Sequence, residues 1–244
     1  MERGRFVRYG ALSGIVAVII IVVGFAIFAS DIPNSDDAAQ KWQTFFLDHQ
    51  DRVQTGMTLI SIGSLFFLWF LGSLREGIAA VEGGARLASI AFGGGLVAVS
   101  ILGAGTAAIL AAALHPQGYD PNLLRSLADI GGLAAAPAAA GFTVLFAATA
   151  AAGYRLGALP APVAGICAAA ALGQACAFFV GTTDSGALAP DGFIGAFIPF
   201  VTFAIAVLAK RHALYASGPA GRGGAGDDLE ETGSRAALAP PATA

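Results

Sequence analysis

The sequence predicts an all-α fold, a polytopic transmembrane helical bundle with six transmembrane helices and both termini in the cytoplasm. Three observations predict it. Of 244 residues, 56% are hydrophobic and only 12% charged, more apolar than a soluble core of this length requires. Six runs of about 20 residues are almost free of Lys, Arg, Asp and Glu, and basic residues crowd the loops on one side of those runs.

The runs are residues 9–29, 53–74, 87–113, 127–153, 161–180 and 192–209. None alternates apolar with polar, and each exceeds a barrel strand of roughly 10 residues. A helix is then the form that satisfies its own backbone in hydrocarbon. The first run follows Arg3, Arg5 and Arg8 as a secretion signal would, but it is long, and Ile27, Phe28, Ala29 and Ser30 give no small-x-small cleavage site. It is expected to be a retained anchor. Next, residues 38–50 place Trp42, Phe45, Phe46 and His49 at i, i+3, i+4 and i+7, on one face of a short helix. That helix is expected to lie on the outer leaflet with its aromatics in the interface; the alternative is a partner-docking surface.

Asp120 followed by Pro121 suits the cap and first turn of the fourth helix. Pro137 within that helix lacks a donor and crowds the Leu133 carbonyl, which predicts a kink, and Pro199 predicts another in the sixth. The six-helix domain is expected over residues 1–215. Beyond it the composition turns to Gly, Ala, Pro and Ser around Asp227, Asp228, Glu230 and Glu231, so residues 216–244 are expected to be a disordered cytoplasmic tail.

Charge sets the orientation. With the N-terminus inside, eight basic residues fall on the cytoplasmic side (Arg3, Arg5, Arg8, Arg75, Arg86, Arg155, Lys210 and Arg211) against three outside (Lys41, Arg52 and Arg125). Tyr9, Trp69, Tyr154 and Tyr215 fall at expected inner boundaries, and Trp42 and Tyr119 at outer ones. The expected location is the plasma (inner) membrane. The net charge of −3 and the lack of a basic block exclude nucleic acid as a partner.

Functional candidates are few. In the fifth helix Gly165, Ala169, Gly173, Ala177 and Gly181 recur at every fourth position, a stripe that lets another backbone come close. It can pack inside the bundle or form a seam with a second copy or a membrane partner. Asp129 is the one acid near hydrocarbon. It pairs with Arg125 in an interfacial ion pair, or else serves ion coupling with Gln174, with Pro137 and Pro199 as hinges of a transport path. His49 and His115 are weak outer-face candidates for a metal, and no histidine falls where a haem would need one. Cys167 and Cys176 stand nine residues apart, on opposite helix faces. No nucleophile elbow, zinc-protease motif or phosphate loop occurs, and no cofactor is implied.

Pro33-Asn34-Ser35-Asp36-Asp37, Phe45-Phe46-Leu47-Asp48-His49 before Arg52, Leu65 to Leu71, Leu74-Arg75, Glu82-Gly83 and Ala91 to Gly95 resemble a group of uncharacterised six-helix membrane proteins of high-GC actinobacteria. Their layout is close to that of a bacterial membrane domain family of unknown function. The resemblance covers about residues 8 to 212. It implies location and fold, and it points to Asp48, Arg52, Trp69 and Arg75 as residues to test. The leading expectation is a non-enzymatic membrane protein acting through helix packing with itself or a membrane partner. A permease for a small, mostly apolar solute and a membrane enzyme with an outer His/Asp metal site are the alternatives.

Overall fold

The computed structural model describes residues 2–183, and every element among them is a helix. They are α1 (Glu2–Phe28), α2 (Ala39–Asp48), α3 (Gln50–Ala79), α4 (Ala85–Leu114), α5 (Pro121–Leu133), α6 (Ala135–Leu156) and α7 (Ala161–Thr183). The run 192–209 with its Pro199, and the tail 216–244, lie outside the described residues. Among the described residues four helices are long and apolar enough to cross a membrane: Gln50–Ala79, Ala85–Leu114, Pro121–Leu156 taken across its break, and Ala161–Phe179. The apolar part of α1, Leu12–Phe28, is shorter. The chain is therefore a helical membrane protein, with large apolar side chains such as Leu65, Trp69, Leu172 and Phe179 exposed where lipid would cover them.

The expected fourth span, 127–153, is longer and interrupted. It begins at Pro121, where the Asp120 carboxylate accepts the Asn122 N–H at 2.8 Å, so the expected cap is present. The interruption is at Ala134, which keeps right-handed helical angles and donates to the Ile130 carbonyl at 3.1 Å. Pro137 three residues later has no N–H to offer the Leu133 carbonyl, which is the physical reason for the break. At the other end Gly157 takes φ 62°, and the N–H of Ala158 closes on Ala152. A side chain at 157 would strain that left-handed cap.

The spanning helices pack in chain order: α1 on α3, α3 on α4, α4 on α6, α6 on α7. Glycines set how close they come. A methyl group placed on Gly94 would sit 2.7 Å from the Gly141 carbonyl oxygen, and one on Gly141 would sit 2.7 Å from that of Gly94. Gly24 and Gly56 join α1 to α3 by the same reciprocal 2.7 Å approach, and Gly105 and Gly131 join α4 to α5 at 3.0 and 3.1 Å. Side chains then close around the contacts, with Phe67, Phe70, Leu71, Leu145 and Phe146 buried in one core.

A second core lies at one end of the bundle. There α2 packs on α5 and on the ends of α3 and α4, burying Trp42, Phe45, Phe46, Val53, Ala112, Ala113 and Leu124. The helix expected over 38–50 forms, but its aromatic face is buried in protein; Phe46 is 1% exposed. The helical period identifies an apolar face without saying whether lipid or protein covers it. Helix α3 runs to Ala79, beyond the expected span end at 74, with Trp69 exposed ten residues before its end.

The glycine contacts generate a direct test. Leucine at Gly94 or Gly141 must push α4 from α6, and overpacking of this kind costs about 1–3 kcal/mol or more. Thermal unfolding in detergent is expected to shift down for G94L and G141L. The control G103L, at a site with open space around it, is expected to unfold with the parent.

Candidate functional site

Polar groups within the spanning helices are mostly spent locally. Ser61, Ser64, Thr106, Thr143 and Thr149 each donate a hydroxyl to the carbonyl four residues back, at 2.7–2.9 Å. Gln174 is different. It is buried on the face of α7 that meets α6, beside Cys167 and Ala171, and among the described residues its amide has no hydrogen-bond partner. Gly153 of α6 faces Ala164 of α7, and the antiparallel register places Gln174 level with Thr143, near the middle of both spans.

Asp129 and Pro137 of the expected transport path do not join it; Pro199 lies outside the described residues. Asp129 is on α5, half-exposed, with Arg125 3.8 Å away, and Arg125 also donates to the Ser35 carbonyl at 2.8 Å. Fourteen residues of helix separate Asp129 from the level of Thr143, roughly 20 Å along the axis. Pro137 is exposed, so it bends the helix without lining an interior. Asp129, Pro137 and Gln174 are thus three separate features.

The small-residue stripe of α7 is not the face that packs against α6. The α6 face is Val163, Ala164, Cys167, Ala171 and Gln174, all buried. Ala169 and Gly173 of the stripe are exposed, Ala177 is half-buried, and a methyl on Gly173 would meet nothing within 4 Å. Only Gly165 is approached, with the Tyr154 hydroxyl 3.2 Å from a methyl placed there. Nothing is described of the surroundings of Gly181. Cys167 is buried and Cys176 exposed, on the opposite faces their spacing requires, and Cys176 shares the outward face with Ala169 and Gly173.

At the capped end one arginine ties three segments together. Arg52 of α3 donates to the Ser30 carbonyl and to the Asp31 carboxylate at 3.2 Å, and its guanidinium lies 5.8 Å from the Phe45 ring centre. It thereby fixes the exit of α1 against α2 and α3. The Nε of Arg52 and the Nε1 of Trp42 are buried without protein partners. Gln54 caps the end of α4 by donating to the Ala113 carbonyl at 3.1 Å. In the loop before α2, the Lys41 ammonium and then the Asn34 N–H hold the Asp37 carboxyl below its ordinary range. His49 rests edge-on against Phe45 and His115 against Tyr119. Among the described residues no three His, Cys, Asp or Glu side chains come together to hold a metal.

Sequence reasoning passed over the glycine pairs 24/56, 94/141 and 105/131, because each half lies in a different helix and neither shows a stripe of its own. The helix-end position of Arg52 was visible, but not its three partners. Comparison with protein-family models, curated proteins and solved structures finds no match for the chain.

Two substitutions separate these features. Arg52→Ala removes one carboxylate contact, one carbonyl contact and the ring stacking together, and is expected to lower the thermal midpoint in detergent. Loss of a partly buried charged hydrogen bond costs about 1.5–3 kcal/mol. Gln174→Leu removes an amide with no acceptor among the described helices and is expected to raise that midpoint, by on the order of 1 kcal/mol in stability. A lowered midpoint would reveal a hydrogen bond to Gln174 within the folded protein.

Proposed function

We propose that this chain is a six-span plasma-membrane protein with both termini in the cytoplasm, non-enzymatic, that acts by packing against a second copy of itself or another membrane protein. The observation that carries this reading is the outward face of α7. Gly24, Gly56, Gly94 and Gly141 are consumed by backbone contacts, whereas Ala169 and Gly173 present a thin, exposed surface beside Cys176. In lipid, where burial of apolar surface offers no gain, such a face is what permits close helix association. The orientation rests on the basic residues assembled at the end opposite the aromatic cap.

The separation of Asp129, Pro137 and Gln174 favours this reading over a permease. Native Cys176 supplies the experiment. In native membranes of the C167A variant, oxidation is expected to give a covalent dimer through Cys176, seen on a non-reducing gel and lost on reduction. Single cysteines placed by A169C or G173C, with both native cysteines removed, are expected to do the same. Absence of dimer at all three positions would remove self-association through this face.

A further inference from the structure

The basic residues of the two ends are in different chemical states. At the capped end each of the three basic side chains has a protein acceptor: Lys41 has Asp37 at 2.7 Å, Arg52 has Asp31 and Ser30, and Arg125 has Asp129 and Ser35. At the other end stand Arg75 near the finish of α3, Arg86 at the start of α4 and Arg155 in the last turn of α6. All three are exposed, and among the described residues none has a hydrogen bond or ion pair. Glu76 and Glu82 are exposed at the same end and pair with none of them. The only partner of the three is the ring of Phe92, 5.8 Å from the Arg75 guanidinium, and a stack on a ring face leaves the N–H edges of the fork free.

We propose that this arginine end binds the phosphate headgroups of anionic phospholipid. The helices that carry the arginines are packed side by side, α3 on α4 and α4 on α6. The connection between α3 and α4 reaches the end of α6, where a methyl on Gly83 would come within 3.8 Å of Leu156. Tyr154, 60% exposed and adjacent to Arg155, is a residue type that settles at headgroup depth. Arg75 lies deeper along its helix than Arg86, and its long apolar stem lets the guanidinium reach the same layer. A guanidinium fork matches two phosphate oxygens at once. Three such forks with no protein acceptor therefore face the layer in which phosphates are the available anions.

The test uses the full-length protein in detergent micelles containing equal amounts of phosphatidylglycerol and phosphatidylcholine, with bound lipid counted by native mass spectrometry. The parent is expected to retain phosphatidylglycerol in several-fold excess. R75Q, R86Q and R155Q are each expected to weaken that retention by up to about fivefold, and the triple variant is expected to hold the two lipids equally. R125Q, at the capped end, is expected to match the parent, and circular dichroism verifies that each variant keeps the parent's helix content. If a variant loses its helices, the remaining single variants decide. Equal retention of both lipids by the parent, or an undiminished excess in the folded variants, would overturn the proposal. Displacement of the lipid by millimolar inorganic phosphate would also overturn it, since the site would then be one for the free anion.

Discussion

Two helices in hydrocarbon gain little by hiding leucine from a solvent that is itself made of chains like leucine. What holds them is the distance at which one backbone can pass another, since dispersion and weak Cα–H···O contacts fade within a fraction of an ångström. In this protein the passage is set at Gly24 and Gly56, at Gly94 and Gly141, and at Gly105 and Gly131. The phenylalanines Phe67, Phe142 and Phe146 fill the space that opens away from them.

The capped end follows a different physics. There the chain leaves regular helix, and polar side chains must satisfy exposed ends: Asp120 takes an N–H of α5, Gln54 covers a carbonyl of α4, and Arg52 holds the end of α1. Beneath them α2 brings Trp42, Phe45 and Phe46 into a small core of the kind found in soluble proteins. One end of the molecule is thus closed by internal hydrogen bonds and ring packing, and Lys41, Arg52 and Arg125 are each paired within the protein. At the opposite end Arg75, Arg86 and Arg155 find no such partners among the described residues.

Much of this was legible from the residue order. Long apolar runs mark spanning helices because the bilayer forbids the alternatives, and Asp120-Pro121 marks a helix start because its chemistry suits few other places. Pro137 announced a distortion, and the break falls at Ala134. What could not be read were relations between helices. The stripe from Gly165 to Ala177 is conspicuous in the sequence, yet its Ala169 and Gly173 face away from α6, while the glycines that do make contact are scattered singly. The aromatic face of α2 looked the same whether lipid or α5 was to cover it. Asp129 and Gln174 seemed able to meet because a linear sequence does not show that they occupy different depths.

Packing in chain order has a consequence for how the protein is made. Each spanning helix rests on the one that emerges from the ribosome just before it, so Gly56 finds Gly24 already in the bilayer and Gly141 finds Gly94. None of the described spanning helices needs to wait, half-packed, for a distant part of the polypeptide. The cap is the exception. Residues 39–48 must stay at the surface until α5 has been synthesised some eighty residues later, which makes the closing of that aromatic core a late event in biogenesis.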